Sequence, residues 1–202
     1  MAVTSSCPTK WRSTVKGDLF RIAEWYGWTG KPNQGLNLLS SEVAAGIVER
    51  ELAMGIHTRV RPGPADNSIW DVENGNSVAA GMTGTLTLKN GQRHKGINWI
   101  RSNKNPGSRK AGWLRCRDML KWALPSYVMG ADGLAVRVPR ERPGLFTFNT
   151  CPMFIDLFPS LPRDEDDMDD VDTDSEDHIG DETRYEVLSK LERARSGTTQ
   201  GT

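Results

Sequence analysis

The sequence predicts an α/β domain built on a mixed or parallel sheet. Strand candidates and helix candidates alternate along the chain, the order from which such sheets are assembled. The 202 residues suffice for one domain with a real core. No segment repeats another, so a solenoid or array is not indicated.

Residues 1–17 are polar and rich in Ser and Thr, with Pro8, and read as a poorly ordered lead. Residues 18–28 alternate roughly and are rich in aromatics, which predicts a strand. Gly27, Gly30 and Pro32 then break it. Residues 38–54 predict a helix: Leu39, Val43, Ile47 and then Leu52 or Met54 recur near helical spacing, and Gly55 is a natural stop. Residues 58–60 suit a short strand. They lead into a rigid Pro-Gly-Pro turn that presents Asp66 at its tip. Residues 76–82 suit a short helix capped by Asn76, residues 85–88 a strand, and residues 97–100 a further short apolar piece. Residues 109–124 read as a helix. Its apolar face is Trp113, Cys116, Leu120 and Leu124, and Arg109, Lys110, Arg115, Arg117 and Lys121 line the remainder. Residues 125–143 are rich in Pro and Gly and read as irregular. Residues 145–149 predict a strand and 151–158 a short helix ended by Pro159. The last helix covers about 176–193, and residues 195–202 are disordered by composition.

Hydrophobic residues make up 37% of the chain and formal net charge is zero. The zero hides an asymmetry. Residues 89–121 hold ten Lys or Arg and one acid, Asp118, whereas residues 164–177 hold ten acids and no base. A basic stripe suits a polyanion such as nucleic acid, although a charge run is more often a solvated face. Cys7, Cys116 and Cys151 are odd in number and lack metal spacing, which argues against a disulfide framework or a zinc site. Their usage suits a reducing cytoplasm. No apolar leader is visible and no apolar run reaches membrane-spanning length.

The densest chemistry lies in residues 177–185, DHIGDETRY. Asp177, His178 and Asp181 stand one helical turn apart. Like charges on one face repel, and a cation with oxygen ligands, Mg²⁺ or Mn²⁺, relieves that cost. The competing reading is a helix-start carboxylate beside a surface histidine. Asp66 stands after a strand end, where α/β sites are built, yet turn and capping aspartates occur there too. The acidic run lacks EF-hand spacing. Residues 28–32 fail as a phosphate loop, because Trp25 and Pro32 occupy required Gly and Ser/Thr positions, so no nucleotide site is predicted. Residues 103–110 place small and basic side chains before a helix start, a geometry suited to backbone phosphates.

Taken in order, residues 20–36, 40–51, 60–71, 103–120, 145–162 and 170–185 resemble the C-terminal nuclease domain of tailed-bacteriophage terminase large subunits. The resemblance covers most of residues 18–185. It implies a ribonuclease H-like mixed sheet flanked by helices over residues 18–194, incomplete at its N-terminus. It implies two Mg²⁺ or Mn²⁺ ions flanking a scissile phosphate of concatemeric viral DNA. Asp66 resembles the family's second acidic residue and Asp181 its last; His178 matches a histidine near the metals, and Asp177 is a further contributor. Arg101, Lys104, Arg109 and Lys110 would contact double-stranded DNA. The portal protein and the small terminase subunit are the implied protein partners, in the cytoplasm of a bacterial host. Two parts of the family pattern are not matched: the first catalytic aspartate, since residues 1–16 contain no acid, and the ATPase domain. The chain therefore reads as a C-terminal part of such a subunit. The rival expectation is an inactive or partial fragment that binds DNA or portal.

Overall fold

The computed structural model describes residues 2–5, 16–27, 35–172 and 177–198. The expected break at Gly30 and Pro32, the rejected phosphate loop at 28–32 and residues 199–202 of the expected tail lie outside the described residues, whereas residues 195–198 of that tail continue the last helix. Along the chain the strands and helices are β1 (Ala2–Ser5), β2 (Leu19–Glu24), α1 (Ser40–Ala53), β3 (Pro64–Ala65), α2 (Val78–Thr83), β4 (Thr85–Thr87), β5 (Arg93–Lys95), β6 (Ile100–Arg101), α3 (Ser108–Ala123), β7 (Ser126–Met129), β8 (Ala135–Val138), β9 (Leu145–Thr147), α4 (Pro152–Leu157) and α5 (His178–Thr198). The protein is thus mixed α/β, with small sheets. Two units emerge: Met1–Glu24 with Asn103–Thr202, and Trp25–Ser102.

The first unit holds a mixed sheet in the order β1-β2-β9. β1, inside the segment read as a poorly ordered lead, runs antiparallel to β2. β2 runs parallel to β9, with Phe20 opposite Phe146 and their rings stacked at 5.1 Å. Strand alternation places Leu19 and Arg21 on one face, and both are buried. Glu24, at the end of β2, accepts the amides of Met153 and Phe154 at 2.6 and 3.1 Å and so caps α4. α3 buries Gly112, Trp113, Cys116 and Met119. The face rotates from the predicted one: Leu124 is 68% exposed, because the helix ends at Ala123 and Leu124 is already extended. Residues 125–143, read as irregular, contain the antiparallel β7–β8 hairpin. Its turn is closed by the Gly130 amide on the Leu134 carbonyl, with Gly133 at φ +76°.

In the second unit, α1 buries Ala44, Ala45, Ile47, Val48 and Glu51. Leu39, predicted on the apolar stripe, is 69% exposed as the N-cap residue, where the Glu42 carboxylate accepts its amide at 2.7 Å. Small residues line the inner face instead, and Gly46 lies directly under the Trp25 ring. Ser77 rather than Asn76 caps α2, its hydroxyl accepting the Ala80 amide. Residues His57–Arg59 form a 3₁₀ turn in place of the predicted strand. β3 pairs in parallel with β6, and β4 antiparallel with β5.

Candidate functional site

The DHIGDETRY run opens α5 as the sequence predicts. The Asp177 carbonyl accepts the Asp181 amide at 2.9 Å, which makes Asp177 the N-cap residue. The i, i+4 spacing then sets both carboxylates on one face. They converge on a single cation, the guanidinium of Arg109 from α3. Its Nη2 lies 3.4 Å from Asp177 Oδ2 and its Nη1 lies 3.5 Å from Asp181 Oδ1. Arg109 also donates from Nε to Asp170 Oδ1 at 2.7 Å and from Nη2 to the Val171 carbonyl at 2.9 Å.

Asp181 is further engaged by its own helix. Arg184 donates to Oδ1 from Nη2 at 2.8 Å and from Nε at 3.2 Å, and the Tyr185 hydroxyl donates to Oδ2 at 2.9 Å. Arg184 is itself buried and lies over the rings of Tyr185 and Trp113. His178 is exposed on the first turn. Lys104 Nζ stands 5.9 Å from the Tyr185 ring centroid.

The electrostatics follow from this crowding. Burial pushes the Asp177 carboxyl above its ordinary value, and the Asp181 charge adds to the shift. Arg109 and His178 pull the other way without cancelling it. Burial works against a charged Arg109, but the Asp170 hydrogen bond and the Asp181, Asp170 and Asp177 charges outweigh it and raise its pKa.

The remaining predicted positions stand as follows. Asp66 belongs to the second unit, where its Oδ1 accepts the Ser68 amide at 2.9 Å and caps the 3₁₀ turn Asn67–Trp70. Arg101, also in that unit, lies over the Trp70 ring at 4.7 Å. Lys110 pairs with Asp167, and Arg117 with Asp169 at 3.3 Å. Three of the five basic residues of α3, Arg109, Lys110 and Arg117, are therefore neutralised by the acidic run of the same unit.

Carboxylate oxygens have the donor chemistry of a Mg²⁺ or Mn²⁺ site. The arrangement does not fit one. Guanidinium groups occupy the oxygens, and among the described residues no group of three or more His, Cys, Asp or Glu side chains is placed to hold a metal ion. Sequence reasoning missed Arg21, which is 1% exposed, donates to Glu182 and Thr183 at 3.3 Å, and lies over the Phe154 ring at 4.5 Å. The available signal was its parity: Arg21 stands two residues from Leu19, at an inward position of β2. No helix among the described residues is long and apolar enough to cross a membrane. Compared with known proteins, the chain matches no protein-family model, no curated protein and no solved structure.

Proposed function

We propose that this chain is the nuclease-domain part of a tailed-bacteriophage terminase large subunit, a ribonuclease H-like module that cuts concatemeric double-stranded viral DNA. The observation that supports the reading is the run of six sequence motifs in the family order, the last of which sets Asp177 and Asp181 at the start of α5. Asp66, in the third motif, resembles the other acid of the family's sequence pattern. With Arg109 placed between the two carboxylates they present no open position for a divalent ion, so metal-dependent cutting requires Arg109 to leave the space between Asp177 and Asp181. Viral DNA, the portal protein and the small terminase subunit are the partners this reading names, and the cytoplasm of the bacterial host is its place.

The second reading is a catalytically inactive fragment that binds DNA or portal. It is favoured by the full occupation of Asp181 by Arg109, Arg184 and Tyr185.

Cleavage of supercoiled plasmid in Mn²⁺ separates the two. Wild type should nick, and Asp181→Asn and Asp66→Asn should each lower the rate by about 100-fold or more, the scale of one lost electrostatic contribution to a transition state. A folded wild-type chain that leaves plasmid intact overturns the nuclease reading.

A further inference from the structure

The basic side chains of α3 fall into two sets of different character. In the first unit, Arg109, Lys110 and Arg117 are matched by Asp170, Asp167 and Asp169. The other set has no such partners. Arg115 and Lys121 on α3, and Arg142 just before β9, form no ion pair among the described residues. Arg115 and Arg142 instead meet at one indole. Their guanidinium carbons lie 4.7 and 5.1 Å from the Trp122 ring centroid. The two guanidiniums are therefore at most about 10 Å apart, within a Debye length at moderate salt.

Such an arrangement is costly without a counter-charge. Two like charges are held together on one ring, and Arg115 Nε is buried with no hydrogen-bond partner. Burial lowers the Arg115 pKa, and the Asp118 charge offsets this only in part. The neighbouring Arg140 does not share the problem, because Asp18 holds it through both carboxylate oxygens. A guanidinium held over an indole by cation–π attraction can still offer its terminal N–H groups to an oxyanion, and that planar group matches phosphate.

We infer that Arg115, Arg142 and Lys121 around Trp122 form a binding site for the sugar–phosphate backbone of a nucleic acid. Arg142 and Lys121 are exposed on open surface. That suits a polyanion with repeated phosphates better than a small phosphate ester held in a pocket. Trp122 is the platform that orients both forks. Arg115 and Lys121 belong to the basic stripe of the sequence but not to the residues expected there to contact DNA, of which Arg109 and Lys110 are already neutralised within the protein. The inference does not depend on nuclease activity.

The test is duplex binding by the full chain in EDTA, followed by fluorescence anisotropy across a salt series. Each phosphate contact contributes about 0.9 to the slope of log K against log salt. The double variant Arg115→Gln/Arg142→Gln should lose nearly two from that slope and bind at least tenfold more weakly at low salt. Arg142→Lys should keep the slope, and Lys110→Gln should change it little. Should the double variant fail to fold by circular dichroism, Arg142→Gln alone, at an exposed position, should lose about one. A wild-type slope in a folded Arg142→Gln variant, or no salt-sensitive duplex binding by folded wild type, overturns the inference. Because metal is absent throughout, a failure here is separate from a failure to nick plasmid.

Discussion

Asp18, the first acid in the chain, is committed to architecture. Its side chain is 3% exposed, both its oxygens take Arg140 at 2.5 and 2.6 Å, and Oδ1 also takes the Gly144 amide at 2.7 Å. The hydrogen bond to Asp18 raises the Arg140 pKa against the opposing effect of burial. One carboxylate thus fixes the turn before β2 to the segment that opens β9, and sets the register of the parallel pair. Removing one partner of such a pair strands the other. Asp18→Ala should destabilise the protein by about 3 kcal/mol, the lower end of the range for broken buried pairs, since Arg140 retains some contact with water. Urea unfolding measures it. Asp18→Asn keeps an acceptor for Gly144 and should lose less. A loss below about 1 kcal/mol for the alanine variant would mean that the pair is not formed in solution.

α3 packs on α5 through close approaches at two glycines. A Cβ at Gly112 would stand 2.4 Å from Arg184 Cγ and 3.1 Å from Leu188 Cδ1. A Cβ at Gly180 would stand 2.5 Å from the Trp113 ring. These close approaches carry Arg184 toward Asp181 and seat Trp113 beneath the first turn of α5. Gly112→Val should therefore destabilise by about 1–3 kcal/mol through overpacking, even though valine is the better helix former. Urea midpoints beside an exposed control, Leu114→Val, check this; equal losses at both positions would refute it. Helix positions were legible in the sequence, because α1, α3 and α5 carry helical periodicity and α1 ends at a glycine stop. Their inward faces were less so. Leu39 and Leu124 look like core residues in a hydrophobicity pattern but stand at helix ends, whereas Gly112, Ala44 and Ala45 carry little hydrophobic signal and pack closely. The β7–β8 hairpin escaped because its residues are almost all exposed, so no buried face imposes a recognisable alternation.

At the scale of the molecule, opposite charges far apart in sequence are spent on each other. The basic stripe and the acidic run were each legible by composition, but their pairing was not, since it depends on how α3 and residues 163–172 meet. The same holds for the candidate site: the order and spacing of Asp177, His178 and Asp181 could be read, while the arrival of Arg109 could not. This pairing has a pH signature. Asp177 has a folded pKa above the ordinary 3.8, so at higher pH its charge weighs against the folded state. As pH falls through that raised value toward 3.8, the chain should gain stability. Asp167 behaves oppositely. Its hydrogen bond to Lys110 lowers its pKa, so the stability it lends above 3.8 is lost as pH falls through its lower folded value. Both Asp167 and Lys110 are solvent-facing, so that second arm should fade in about 0.5 M salt, while the arm from the partly buried Asp177 persists. Urea midpoints across pH for wild type, Asp177→Asn and Lys110→Gln isolate the two arms, because the other carboxylates are common to all three proteins. Asp177→Asn should flatten the profile above pH 3.8 and raise stability at neutral pH by less than about 1 kcal/mol. Lys110→Gln should flatten it below pH 3.8. If Asp177→Asn retains the wild-type profile, the carboxylate is not held between burial, Asp181 and Arg109 as the structure has it.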